Sequence, residues 1–223
     1  MGTSFFQYPL KDIPLILLVV AISLSVHEFA HAYVAYKFGD DTAKRQGRLT
    51  LSPFKHLDIF GTLAIIILGF GWARPVPVNR HNFKNPRIAG ILTTAAGPIS
   101  NLILATFGLI IYLLLLKFGF FNSFPQALSI TLDSFFSIFI QLNIVLFVFN
   151  LIPLPPLDGY RIIEDLVPND LRAKMSQYEQ YGAFVFLILV LTPLDNFTIQ
   201  PIFQVAIPSV FHWISSIVAP LIM

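Results

Sequence analysis

Two histidines in the segment VHEFAH, residues 26–31, stand four positions apart. On an α-helix this spacing puts both imidazoles on one face about one turn apart, where they can bind one metal ion. Glu28 follows His27 directly, so its carboxylate projects beside the pair and can accept a proton from an attacking water molecule without being a ligand. Zn²⁺ suits two imidazoles, one carboxylate and a fourth position open to water. The motif therefore predicts a zinc-dependent hydrolytic site.

A zinc site of this type needs a third protein ligand. Position 37, six residues after His31, is a lysine, so a third histidine at that spacing is absent. Asp158 lies in NLIPLPPLDGY, residues 150–160, directly after an apolar run, where prolines interrupt the helix and Gly159 permits a tight turn. A turn-forming aspartate before glycine is the alternative explanation of Asp158. Together with the histidine pair, Asp158 is the predicted third ligand.

The setting of the histidine motif is unusual, because residues 13–26 of the same predicted helix are almost wholly apolar. Ionisable groups at membrane depth are costly and usually functional. The alternative is that the motif forms a polar turn at the membrane surface. The isolated histidines His56, His81 and His212 are predicted not to bind metal.

The composition indicates a membrane protein. Of its 223 residues, 56% are hydrophobic and 12% are charged, whereas soluble domains carry roughly a quarter charged residues. No polar stretch is long enough for a separate globular domain, so we predict one membrane-embedded domain over residues 1–223 without a removable signal peptide. The formal charge of +2 and the scattered basic residues do not support nucleic-acid binding, and the absence of cysteine excludes disulfides and thiolate ligands.

Apolar stretches occur at residues 13–35, 57–73, 88–116, 132–153, 181–194 and 201–222. A spanning helix needs about 20 residues, so 57–73 and 181–194 are short and must tilt, re-enter or be shielded by protein. Pro75 and Pro77 forbid a helix in 69–83 and alternate with valines, which predicts a strand or hairpin directed at the site. The expected fold is an all-α polytopic membrane protein with about five to six transmembrane or re-entrant segments and a small membrane-embedded β-hairpin.

The distribution of basic residues favours a re-entrant segment at 57–73, because short cytoplasmic loops are enriched in Lys and Arg. In that topology twelve of the fourteen Lys and Arg residues are cytoplasmic, and only Lys11 and Lys117 lie outside. If 57–73 spans instead, the later topology inverts and most of the bias disappears. We therefore predict a multi-pass protein of the cell membrane whose active site faces the cytoplasm, with the polar segment 159–180 forming a short cytoplasmic helix and loop.

HEFAH in an apolar helix, together with NLIPLPPLDG near the end of a later one, resembles the site-2 protease family of intramembrane zinc metalloproteases, peptidase family M50. GPISN at 97–101 resembles the middle-helix element of that family, and WARPVPVN resembles the re-entrant hairpin of its compact bacterial and archaeal members. The resemblance covers about 13–182, the expected catalytic core, and leaves an apolar helix at about 201–222. Larger family members carry a PDZ or CBS domain, which has no counterpart here.

The resemblance implies that one Zn²⁺ per chain is bound by His27, His31 and Asp158. It also implies that Glu28 is the general base and proton shuttle. Asn150 matches the family asparagine that holds the substrate backbone or the developing oxyanion, and Gly97 and Asn101 match positions close to the site.

The expected activity is hydrolysis of peptide bonds within or near transmembrane segments of membrane-protein substrates. An extended piece of the substrate would pair its backbone with the edge from Pro75 to Val78. The first alternative is a membrane transporter of metal ions or protons, which explains the ligands but not Glu28. The second is a catalytically silent membrane scaffold, against which the intact motif argues.

Overall fold

The structure is a computed structural model and describes residues 9–68 and 71–223. Along these residues the helices are α1 (Ile13–Lys37), α2 (Thr42–Arg45), α3 (Pro53–His56), α4 (Ile59–Leu68), a 3₁₀ turn (Arg80–Asn82), α5 (Pro86–Lys117), α6 (Phe120–Ser123), α7 (Gln126–Asn150), α8 (Asp158–Leu166), α9 (Asn169–Leu191) and α10 (Asp195–Ile222). Four of them, α1, α5, α7 and α10, are long and apolar enough to cross a membrane. The mostly helical fold predicted from the sequence is confirmed, with four candidate membrane spans in the described residues, whereas the predicted count of five to six transmembrane or re-entrant segments is not confirmed.

The long helices begin and end where local chemistry requires. A proline stands in the first turn of α1 and of α5, where its missing N–H costs no hydrogen bond. Gly39 and Gly119, which follow these two helices, have φ angles of 103° and 68°. This left-handed conformation favours glycine and ends a helix.

Helix α5 lies at the centre of the bundle and contacts α1, α7, α8 and α10. Small residues on its buried faces allow neighbouring helices to approach closely, as is common in membranes. A Cβ atom added at Gly108 would lie 2.7 Å from the ring of Phe139 on α7. The ends of α5 and α10 lie at the same side of the bundle, because Lys117 donates a hydrogen bond to the carbonyl of Ile222.

The short helix α4 is followed by residues 71–82, called the returning segment, which lead the chain back to the start of the same helix. Leu57 and Ala73 form an isolated antiparallel bridge, and the N–H of Arg74 donates to the carbonyl of His56 at 2.8 Å. Gly61 allows this approach, because a Cβ there would lie 2.0 Å from the carbonyl oxygen of Trp72. The stretch 57–73 is therefore not one continuous spanning helix.

The predicted β-hairpin is not confirmed. Within 9–68 and 71–223 no strand longer than this bridge is formed, and Gly69 and Phe70 of the predicted segment lie outside the described residues. Residues 73–79 are non-helical, as Pro75 and Pro77 predict.

The polar segment 159–180 differs from the predicted short helix and loop. After α8 and Pro168, the polar residues 169–180 and the apolar residues 181–191 form the single helix α9. The change from polar to apolar side chains alters the surroundings that a helix prefers, but it does not end the helix, and proline is tolerated at a helix start. Helix α9 is not among the four candidate spans.

Candidate metal and catalytic centre

Three predicted ligands meet at one point, although they come from two distant parts of the chain. His27 and His31 lie one turn apart on α1, and their Nε2 atoms are 3.0 Å apart. Asp158 is the first residue of α8, and its Oδ2 atom lies 3.3 Å from Nε2 of His27 and 3.4 Å from Nε2 of His31.

The outer nitrogens of both imidazoles have acceptor partners. Nδ1 of His31 lies 2.7 Å from the carbonyl oxygen of Thr93, and Nδ1 of His27 lies 2.7 Å from Oδ1 of Asn101. Since these oxygens only accept, each Nδ1 carries the proton and each Nε2 directs its lone pair to the centre. Two lone pairs at 3.0 Å repel each other unless a cation lies between them.

The donor set fits zinc. Ligand atoms about 2.0–2.1 Å from a tetrahedral zinc ion lie about 3.3 Å from one another, close to the three separations above. Oδ2 of Asp158 is buried and has no hydrogen-bond partner in the described part of the chain. A carboxyl group must be ionised to bind a metal ion, and the positive charge of a bound ion would favour the carboxylate form of Asp158.

Gly97 on α5 faces the two imidazoles. A Cβ atom there would lie 2.3 Å from Nε2 of His31 and 2.6 Å from Cε1 of His27, which is too close for any side chain. Glycine is the residue that lets α5 pass beside the ligand atoms. This contact gives a physical reason for the GPISN element noticed in the sequence.

Glu28 is buried beside the ligands but is not part of the three-ligand group. Its Oε2 atom accepts a 2.8 Å hydrogen bond from the backbone N–H of Val76 in the returning segment. Glu28 and the three ligands line one cavity of about 370 Å³, whose other walls include Trp72, Leu146, Phe149 and Phe186. The cavity has mostly apolar walls with the polar groups converging at one place, as substrate sites commonly do.

Asn150, the last residue of α7, lines the same cavity. Its side-chain Nδ2 donates to the carbonyl of Leu146 at 2.9 Å. A primary amide has two N–H bonds, so one donor remains for a group in the cavity. The predicted position of Asn150 near the centre thus agrees with the geometry, while its role stays a prediction.

His56 does not join the centre. It is fully buried, and its Nε2 lies 2.7 Å from the carbonyl oxygen of Thr50. In the described residues only His27, His31 and Asp158 form a group that could hold a metal ion, so His81 and His212 are also outside it.

Sequence reasoning missed an ion cluster that holds the returning segment in place. Asp165 on α8 pairs with Arg80 at 2.5 Å and with Arg172 of α9 at 3.0 Å. A Cβ at Gly90 of α5 would lie 2.4 Å from Oδ2 of Asp165, so any side chain there would displace this carboxylate. The three charged residues are far apart in sequence, and no local pattern indicates their pairing.

A helical membrane protein with a buried His-His-Asp centre and an adjacent glutamate has the arrangement expected of a membrane-embedded metalloprotein. The chain belongs to peptidase family M50, whose family model matches residues 15–193. The prediction made from the motifs is confirmed at this level.

Known relatives agree with the family assignment. The chain is 57% identical over 98% of its length to "Putative zinc metalloprotease YwhC" of Bacillus subtilis, covering 99% of that protein. It is 29% identical to "Putative zinc metalloprotease Rip2" of Mycolicibacterium smegmatis and 30% identical to the protein of the same name from Mycobacterium tuberculosis H37Rv, covering 84% of this chain and 72% of each relative. No solved structure matches the chain.

Proposed function

We propose that this protein is an intramembrane zinc metallopeptidase that hydrolyses peptide bonds within or near transmembrane segments of membrane proteins. The observation that carries the proposal is the convergence of His27, His31 and Asp158 beside Glu28 in one cavity between candidate spanning helices. Catalytic zinc sites combine such a ligand set with an adjacent carboxylate base. Residues 1–223 act as one domain in this proposal.

One zinc ion per chain would be held by the two imidazoles and Asp158. Zinc bound there would act as a Lewis acid toward the scissile carbonyl and would make water more nucleophilic near neutral pH. His27 and His31 keep their Nε2 lone pairs directed at the centre through the hydrogen bonds at Nδ1. Gly97 keeps the space around those atoms free.

Glu28 supplies the proton transfers of peptide hydrolysis. Its carboxylate takes a proton from the attacking water, and the same proton then passes to the leaving amine nitrogen as the C–N bond breaks. Oε2 holds the N–H of Val76, so Oε1 is the atom left to exchange the proton. The second amide N–H of Asn150 stabilises the negative charge that develops on the carbonyl oxygen.

The substrate binds in an extended form beside the returning segment, and the donors and acceptors of that segment restrict the pairing. The N–H groups of Arg74, Val76 and Asn79 already donate within the protein. Pro75 and Pro77 have no N–H. From Pro75 to Pro77 the edge therefore offers carbonyl acceptors only, and the substrate backbone must be the donor there, whereas Val78 keeps a backbone N–H that can donate.

The site opens toward the cytoplasmic face of the cell membrane. The ligands lie in the second half of α1 and just after α7, at the bundle end where α5 begins. Most basic residues occur in the connections at this end, which cytoplasmic loops favour. The return of the chain from α4 to Leu57 supports a re-entrant segment on that side.

The decisive experiment compares wild type with Glu28→Gln in liposomes that contain a panel of single-span membrane proteins. Glu28→Gln should keep one zinc per chain and lose cleavage by at least about 100-fold, because the base is removed and the ligands remain. Asp133→Asn makes the same chemical change near the start of α7, far from the site, and should keep both properties.

Cleavage retained by Glu28→Gln would overturn the role of the glutamate. If zinc-loaded wild type cleaved no panel protein and instead moved zinc across the liposome membrane, the transporter alternative would replace the protease. Asp158→Ala should weaken zinc binding, and the double variant His27→Ala with His31→Ala should abolish it, as metal analysis by mass spectrometry would measure.

A further inference from the structure

A chain of buried polar side chains crosses three helices and ends at one of the metal-site imidazoles. Asn143 on α7 and Asn101 on α5 are both fully buried. Nδ2 of Asn101 donates to Oδ1 of Asn143 at 3.0 Å, and Oδ1 of Asn101 lies 2.7 Å from Nδ1 of His27. Buried amides are costly among apolar helices, so a pair in which every side-chain polar atom has a partner calls for a functional explanation.

This chain of hydrogen bonds has a fixed direction, because it begins at a backbone carbonyl. Nδ2 of Asn143 donates to the carbonyl of Phe139 at 2.8 Å, and a carbonyl can only accept. Oδ1 of Asn143 must therefore face Asn101, which in turn must present its Nδ2 to Asn143 and its Oδ1 to His27. The proton of His27 is then held at Nδ1.

The second imidazole does not need such a chain. Nδ1 of His31 lies 2.7 Å from the backbone carbonyl of Thr93, which fixes its tautomer directly. The amide of Asn101 can rotate by 180° and exchange its donor and acceptor, whereas a carbonyl cannot. The contact of Asn101 with the carbonyl of Ser23 is long, at 3.4 Å, so Asn143 is its stronger orienting partner.

We propose that Asn143 is a positioning residue of the metal centre, which orients the amide of Asn101 and thereby selects the His27 tautomer that can bind metal through Nε2. The inference rests on the proposed role of His27 as a ligand, but its first readout does not require metal. Groups that orient metal-binding histidines in this way typically change metal affinity 10–100-fold when removed.

The test uses Asn143→Leu, a substitution of similar size that removes both hydrogen-bonding functions. In zinc-free protein in detergent, at a pH alkaline enough to keep both imidazoles neutral, long-range ¹⁵N–¹H NMR should show the Nδ1–H form of His27 in wild type and a mixture of tautomers in the variant. The His31 signals should not change, which makes them an internal control. Zinc affinity, measured by competition with a chelator, should fall about 10–100-fold.

Ser100→Ala is the matched control. Ser100 is a buried polar residue beside Asn101, but within the described part of the chain its hydroxyl donates only to the carbonyl of Gly97 in its own helix. Its removal should leave the tautomer of His27 and the zinc affinity unchanged. If Asn143→Leu does not fold, Asn143→Ala removes the same donor and acceptor without overpacking and is read in the same way.

A second substitution tests the direction of the chain. A carboxylate at position 101 accepts at both oxygens, so adding Asn101→Asp to Asn143→Leu should restore the Nδ1–H form of His27. A folded Asn143 variant with wild-type His27 signals and zinc affinity within twofold of wild type would overturn the proposal. If wild type bound no zinc, the proposed function would fail, whereas the tautomer measurement would still decide the role of Asn143.

Discussion

The backbone N–H of Val76 donates a 2.8 Å hydrogen bond to Oε2 of Glu28, which lies 48 positions earlier in the chain. The same contact joins the returning segment to the helix that carries the histidines. This hydrogen bond holds the Glu28 carboxylate in one orientation, with Oε2 at the N–H of Val76 and Oε1 directed away from it. The segment proposed to bind substrate and the group proposed to move the proton are thus physically connected.

Replacing Val76 by proline should separate the substrate-binding role of the returning segment from its contact with Glu28. Proline is compatible with an extended segment but has no N–H, so Val76→Pro removes the hydrogen bond to Glu28. We expect kcat to fall about tenfold, the loss of roughly one hydrogen bond to a charged group, with zinc content unchanged. Val76→Ala keeps the N–H and should lose less activity; equal losses in both variants would assign the effect to the valine side chain.

The acceptor-only edge at Pro75 and Pro77 makes a prediction about the substrate. Replacing a substrate amide N–H by an ester oxygen removes one donor and keeps the carbonyl. At positions that face the two prolines, this change should raise KM about fivefold each, corresponding to about 1 kcal/mol per hydrogen bond. The measurement is a scan of single ester substitutions along a cleaved peptide. A KM that is equally insensitive at every position would contradict the proposed pairing.

The grouping of the three candidate ligands could be predicted from the sequence because metal chemistry restricts both residue type and spacing. His27 and His31 are one helical turn apart in any regular helix, and Asp158 is an isolated carboxylate at a helix break. The partners that orient them could not all be found in this way. Thr93 and Val76 contribute only backbone atoms, and backbone atoms have no residue-type signature.

Asn143 is a different case, because a signal was present. A polar amide in the middle of the apolar run that forms α7 is expensive in a membrane and therefore indicates a partner. The sequence does not reveal which partner, since Asn101 lies 42 positions away on another helix. Helix α9 shows a limit of hydropathy. The change from polar to apolar residues near position 180 predicts where each half of the helix prefers to lie, but the helix does not end there.

Gly97→Ala tests how closely α5 must approach the imidazoles. The added Cβ would lie 2.3 Å from Nε2 of His31, so the helix or the ligand must move. We expect zinc affinity to fall at least about tenfold, because ligand displacement of a few tenths of an ångström exceeds the tolerance of a zinc site. Gly47→Ala is the control: it strains a backbone with φ of 65° but has open space around it. It should lower stability without changing zinc affinity; wild-type affinity in Gly97→Ala would show that α5 can move aside.

Asp40 provides a pH-dependent anchor for the far end of the returning segment. Its carboxylate accepts hydrogen bonds from the N–H of Asn79 at 2.7 Å and from the side chain of Asn82 at 2.8 Å. Burial raises the pKa of Asp40, but these hydrogen bonds and those from Thr42 outweigh burial and lower the pKa below its usual value. The carboxylate therefore stabilises the fold above the unfolded-state pKa of about 4, and this contribution is lost as the pH falls toward the lower folded-state pKa.

Asp40→Asn should thus lower the free energy of unfolding at pH 7 by about 1–3 kcal/mol, because one buried acceptor becomes a donor. Below about pH 4 the difference from wild type should shrink, since the carboxylate of the unfolded wild type then takes up a proton that the folded state binds only at lower pH. Denaturant unfolding in detergent at several pH values measures both effects. Asp41→Asn is the neighbouring control, because the carboxylate of Asp41 is exposed and, among residues 9–68 and 71–223, pairs only with Arg45 at the surface. A difference between Asp40→Asn and wild type that stays constant from pH 7 to pH 3 would show that the ionised carboxylate is not what holds the segment.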